Sequence, residues 1–169
     1  AMGMGVAIEK LTWGSWTPHK YKIAVSGCPR NCSEATIKDF GIIGVDSGWE
    51  IHVAGNGGIK VRVTDFLCKV KTDEELFEMV KAYMQFYRED AYYLERTAHW
   101  IERVGLEYVK EVLFDEEKRK MYAASFDISQ KSAQVDPWAK AIEDGFTKEF
   151  SPIVIDPNDS HSFEAKEQI

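Results

Sequence analysis

The 169-residue sequence is poor in cysteine, with three, and in proline, with five. No apolar run approaches the roughly 18 to 20 residues that a membrane span needs. Ala1 to Lys10 lacks the charged n-region and apolar h-region of a secretory signal. Positive charge is also short: 21 Lys and Arg against 28 Asp and Glu leave a net charge of −7. A nucleic-acid partner needs a clustered basic footprint, so neither nucleic acid nor membrane is an expected partner. An odd number of thiols fits a reducing compartment better than a disulfide framework, and the expected setting is cytoplasmic. Internal repeats and low-complexity blocks are absent. What is present is 44% apolar and 12% aromatic residues, enough for the core of one globular domain.

The segment around Trp13, Trp16 and Thr17-Pro18 reads as an irregular or helical approach ended by a turn. From Lys20 to Ser26, Tyr21, Ile23 and Val25 alternate with Lys20 and Lys22, which predicts a strand that Gly27 ends. Pro29 suits a first helical turn and Ser33 to Asp39 reads as a short helix, so Cys28 and Cys32 would lie on a strand-to-helix turn. The runs FGIIGVDSG, WEIHVAG and IKVRVTDFL predict an antiparallel meander, with Asn56-Gly57 as a hairpin turn.

Thr72 and Glu75 form a capping box, and Leu76, Val80, Tyr83, Met84 and Tyr87 follow at helical spacing. A second helix, with Leu94, Ala98, Ile101 and Val104 on one face, ends at Gly105. Leu106 to Tyr122 predicts one or two more. Beyond about Ser125, Pro, Asp and Ser dominate and predict an irregular or partly mobile extension. The fold class is therefore read as α+β, a small mixed or antiparallel sheet with helices packed on it, with residues 1–124 as the domain and 125–169 as the extension.

Two thiols one helical turn apart can grip a single centre. Backbone N–H groups and a helix dipole at such a turn stabilise thiolates, and Arg30 adds positive charge. The residues alone leave three readings open: buried structural cysteines, a metal or cluster site, or a redox dithiol. Beyond this pair the chain offers Cys68, His19, His52, His99 and His161 as ligands. Cys68, alternating with Phe66 and Val70, reads as a small core residue. His99 beside Trp100 reads as surface or core filler.

The segments WTPHKYKIAVSGCPRNCSEATIKDFGIIGVDSGWEIHVAGNGGIKVRV and YREDAYYLERTAHWIERVGLEYV resemble the C-terminal part of the large subunit of NADH-dependent assimilatory nitrite reductases. The resemblance runs from about Gly5 to about Val112. SGCPRNC is similar to the second cysteine pair of the sirohaem and [4Fe–4S] nitrite and sulfite reductases, and the flanks favour the nitrite branch. The resemblance implies the fold of the [4Fe–4S] domain and a cluster held by a C-x5-C pair and then a C-x3-C pair. Cys28 would be the third ligand and Cys32 the fourth, Cys32 also bridging to the sirohaem iron. AGNGGIKVR, Ala54 to Arg62, resembles the Gly-Asn segment near the macrocycle and implies that Asn56 and Arg62 are cofactor-binding. Read without that likeness, Asn56-Gly57 is a turn, and Arg62 shares a solvent face with Lys60.

The chain carries no C-x5-C pair and reads as a piece of a reductase. The whole enzyme would reduce nitrite to ammonium with six electrons from NADH, through FAD, the cluster and sirohaem. Expected partners are the upstream part of the same subunit and a small Rieske-like subunit. The piece itself is expected to be inactive, with no catalytic residue of its own and little or no bound cofactor. The other readings are a sulfite reductase haemoprotein piece, a zinc-stabilised module using Cys28, Cys32, Cys68 and a histidine, and a subunit-contact domain.

Overall fold

The computed structural model describes residues 1–145. Its elements are α1 (Met2–Thr12), β1 (Ile23–Ser26), a 3-10 turn (Ala35–Ile37), β2 (Phe40–Val45), β3 (Gly48–Val53), β4 (Asn56–Gly57), β5 (Val61–Arg62) and β6 (Asp65–Val70). The helices α2 (Asp73–Asp90), α3 (Thr97–Val104), α4 (Leu106–Phe114), α5 (Glu116–Ala133) and α6 (Pro137–Glu143) follow. Among the described residues, no helix is long and apolar enough to cross a membrane.

The main sheet has the order β1-β2-β3-β6 and is mixed: β1 runs parallel to β2, while β2–β3 and β3–β6 are antiparallel. This is the α+β architecture expected, with one refinement that places the site. A parallel neighbour cannot be reached by a tight turn, so residues 27–39, which include both cysteines, form the crossover from β1 to β2. Topology thus carries the cysteine segment over one face of the sheet. The register puts Phe40, Ile42, Ile51 and Val53 on the opposite face, where all four are buried.

Helix α2 covers that second face. Its capping box forms as the sequence predicts, the Thr72 hydroxyl accepting from the Glu75 N–H while the Glu75 carboxylate accepts from the Thr72 N–H. Such a cap contributes about 1 kcal/mol. Leu76, Val80, Tyr83, Met84 and Tyr87 are all buried. The packing is aromatic: Phe40 lies 5.3 Å from Tyr83, and Trp100 of α3 stands edge-on to Phe86 at 5.2 Å. Helix α5 lies along α2, with Tyr122 5.2 Å from Phe86 and Lys81 paired to Asp127 at 2.8 Å.

Several expected boundaries move. Leu94 precedes α3, exposed and in the left-handed region at φ 65°, while Ala98 and Ile101 are buried and Gly105 ends the helix at φ 88°. The third predicted strand breaks after Arg62: β5 leaves the main sheet to pair with β4, and β6 continues it. A bulge opposite Ile51 and His52 breaks the alternation on β6, so Leu67 and Val70 are buried and Phe66 is exposed.

The break expected near residue 124 falls inside α5. Asp115 caps this helix through the N–H groups of Glu117 and Lys118, and Ala123, Phe126 and Gln130 give it a buried stripe that runs past Ser125. Ala1–Gln134 form one compact unit. Within the second, α6 starts at Pro137 with Asp136 as its cap. The rest of the expected irregular extension, residues 146–169, lies outside the described residues.

Candidate functional site

Cys28 and Cys32 are both free and both exposed, but they do not lie on a helix. Asn31 and Glu34 each sit at φ 54° in the left-handed region, which interrupts any right-handed helix through the pair. The helix expected over Ser33 to Asp39 shrinks to the 3-10 turn Ala35–Ile37. Pro29 serves instead as the second residue of a turn closed by the Asn31 N–H donating to the Cys28 carbonyl at 3.1 Å, a position proline favours. Helix spacing and a helix dipole therefore play no part in presenting these thiols. The loop's own hydrogen bonds do that work.

Asn31 is the hub of those bonds. Its Oδ1 accepts from the Ala35 N–H at 2.7 Å and from the Ser26 hydroxyl at 3.1 Å, and its Nδ2 donates to the Thr36 hydroxyl at 2.7 Å. Ser26, nearly fully buried at the end of β1, accepts from the Ser33 N–H at 3.3 Å. The Glu34 N–H donates to the Asn31 carbonyl at 2.9 Å. Residues before Cys28 and after Cys32 are thus tied to one side chain. Sequence reasoning missed Asn31, Ser26 and Thr36. The signal available was an asparagine, a residue that tolerates left-handed backbone, at the last place before the second cysteine.

Two glycines let the crossover lie close to its neighbours. A Cβ on Gly41 would run into the Ala35 carbonyl, and one on Gly55 would lie 2.5 Å from the Lys38 carbonyl oxygen. The exit of the crossover is pinned as well. Asp39, wholly buried, accepts from the Lys22 N–H at 2.9 Å, from the Thr97 hydroxyl at 2.6 Å and from the Arg96 guanidinium at 2.8 to 3.1 Å.

Beside the loop stands the β4–β5 hairpin. The Thr64 N–H donates to the Thr36 carbonyl at 2.8 Å, and the Gly55 N–H donates to the Lys38 carbonyl at 2.9 Å. Asn56-Gly57 is not the turn: it forms β4 and pairs with Val61 and Arg62, leaving Gly58 to Lys60 as the connection. The Asn56 Nδ2 donates to the Lys60 carbonyl at 2.8 Å and closes that connection. Arg62 is not a free surface cation. Its guanidinium donates to the Ala54 carbonyl at 2.7 Å and to Asp65 at 2.8 Å, and it pairs with Glu102 of α3 at 3.4 Å.

Cys68 stands apart from the pair, on β6 opposite Ile51, packed against the core. Burial pushes its thiol up to about 11. Among the described residues, no three of His, Cys, Asp and Glu are arranged to hold a metal ion, so the zinc reading with Cys28, Cys32, Cys68 and a histidine has no assembled site there. His161 lies outside the described residues. His99 is exposed on α3. The donor set at the loop is two accessible thiols, which fits half the thiolates of an iron–sulfur cube.

Residues 3–121 match the nitrite and sulphite reductase 4Fe-4S domain. The chain belongs to that family. It is 52% identical over 144 residues to a nitrite reductase [NAD(P)H] of Bacillus subtilis, covering 85% of this chain and 18% of that protein. It is 44% identical over 118 residues to the nitrite reductase (NADH) large subunit of Escherichia coli, covering 69% of this chain and 14% of that one. An assimilatory-type sulfite reductase of Nitratidesulfovibrio vulgaris is 33% identical over 113 residues, 67% of this chain and 52% of that protein. The chain therefore spans less than a fifth of the two nitrite reductases. The match bears out the reading of this chain as part of a nitrite and sulfite reductase [4Fe–4S] domain.

Proposed function

We propose that this chain is the part of an NADH-dependent nitrite reductase large subunit that supplies the second cysteine pair of its cluster site, in which Cys28 and Cys32 would hold the cluster and Cys32 would also serve sirohaem. The observation that carries this reading is the presentation of both thiols: exposed, unpaired and fixed by the hydrogen bonds of their own loop, within a stretch that matches a 4Fe-4S domain. Bound there, the cluster and sirohaem would supply stepwise one-electron transfer to nitrite, the electrons coming from NADH by way of FAD in other parts of the subunit and the product being ammonium.

The chain's own residues do the holding. With Cys68 turned to the core, two further thiolates have to come from other polypeptide, and a C-x5-C pair in the remainder of the large subunit fits that need. Asn56 and Arg62, on the hairpin whose flanks bond to Thr36 and Lys38 of the crossover, are the proposed cofactor-binding residues beyond the cysteines. Arg62, committed to Ala54, Val63, Asp65 and Glu102, fixes the hairpin's place, and any donor it has left would be available to a sirohaem carboxylate. A small Rieske-like subunit is the proposed further partner, and free thiols of this kind suit the cytoplasm.

The test joins the chain to polypeptide carrying a C-x5-C pair and the flavin and NADH domains, then follows NADH oxidation with nitrite and with sulfite. Nitrite-dependent oxidation that disappears in Cys32→Ser supports the reading. Turnover with sulfite and not nitrite would move the chain to the sulfite branch.

A further inference from the structure

The cysteine loop is organised by a side chain that carries no cluster chemistry. We propose that Asn31 is the positioning residue of the cysteine pair, holding Cys28 and Cys32 in their presented conformation before any cluster arrives. This rests on the reading of the two thiols as cluster ligands.

The physical case has two independent parts. Asn31 occupies φ 54°, a left-handed conformation that is costly for most residues but that asparagine tolerates. Its side chain also makes three hydrogen bonds that no sheet or helix ladder supplies: to Ser26 before Cys28, and to Ala35 and Thr36 after Cys32. The crossover has only a three-residue 3-10 turn of its own, so without the Asn31 amide the one remaining side-chain tie between the two ends of the cysteine segment, among the described residues, is the longer bond from the Ser33 N–H to the Ser26 hydroxyl at 3.3 Å. A loop that must first be ordered by its ligand pays the ordering entropy at capture, whereas a preset loop does not.

Substitutions separate the two parts. Asn31→Gly keeps the left-handed backbone and loses every side-chain bond. Asn31→Ala loses both. Asn31→Asp tolerates the backbone and retains both acceptor bonds, and the Thr36 hydroxyl can turn to donate to its second oxygen.

The first readout is amide hydrogen exchange in the 169-residue chain. Exchange at Ala35 should quicken roughly tenfold or more in Asn31→Ala and Asn31→Gly and stay near wild type in Asn31→Asp. Tyr83 of α2 serves as the control amide and should be unchanged in all three. The second readout is iron per chain when the same substitutions are placed in the complete large subunit: a severalfold loss in Ala and Gly, with recovery in Asp. Wild-type exchange at Ala35 in Asn31→Ala, or failure of Asn31→Asp to restore both readouts, would overturn the proposal. A wild-type subunit that takes up no iron would instead sink the cluster reading, and the exchange data would still decide the role of Asn31 in the loop.

Discussion

Asp39, fully buried, receives the guanidinium of Arg96 in a forked pair at 2.8 to 3.1 Å, and so fixes the exit of the cysteine crossover to the start of α3. The Arg96 side chain is itself 16% exposed. Removing one partner of such a pair leaves a charge in a poor solvent. Asp39→Asn should therefore lower stability by about 3 to 5 kcal/mol. Urea unfolding checks it, and the double variant Asp39→Asn, Arg96→Met should lose less than the sum of the two single changes. Additive losses would mean that the pair is not coupled.

The close approach of the crossover to β2 makes a sharper prediction. Gly41→Ala places a methyl group against the Ala35 carbonyl, backbone against backbone, with no flexible side chain to give way. A destabilisation of about 1 to 3 kcal/mol is expected, together with faster amide exchange across residues 35–38. A variant as stable as wild type would show that the crossover can lift from the sheet.

The three thiols should separate by reactivity. Cys28 and Cys32 are exposed, whereas Cys68 is half-buried with its thiol pushed up to about 11 from the ordinary 9.0. Because the thiolate is the nucleophile, iodoacetamide near pH 8 should label Cys28 and Cys32 first and spare Cys68 until the chain unfolds. Mass spectrometry of the labelled peptides reads this directly.

The same shift has a signed consequence for stability. The unfolded chain gives up the Cys68 proton as pH passes about 9, while the folded chain holds it until about 11. The contribution is therefore complete below pH 9 and is lost as pH climbs toward 11. The melting temperature of wild type should fall more steeply over that window than that of Cys68→Ala. Parallel slopes would contradict the burial of this thiol.

Much of the fold was legible because its signals are local and periodic. The α2 cap needs only Thr72 and Glu75, and the stripe from Leu76 to Tyr87 repeats at helical spacing, so both were readable without tertiary knowledge. The cysteine loop was not. Pro29 and the spacing of Cys28 and Cys32 suit a helix start, but the loop's backbone is decided by Asn31 reaching back to Ser26 and forward to Ala35, contacts that no periodicity announces. Asn56-Gly57 failed for a related reason. The pair is a strong turn signal in isolation, yet the bonds of Gly55 and Thr64 to the crossover draw it into a strand and shift the turn to Gly58 to Lys60. The apparent break near Ser125 came from polar composition, which hid the buried stripe of Ala123, Phe126 and Gln130.

The most direct test of the central claim is iron and acid-labile sulfide per chain in the complete large subunit, compared between wild type and the double variant Cys28→Ser, Cys32→Ser. The account predicts about four irons with matching sulfide in wild type, and background levels in the variant. Iron and sulfide retained at the wild-type level after loss of both thiols would contradict it.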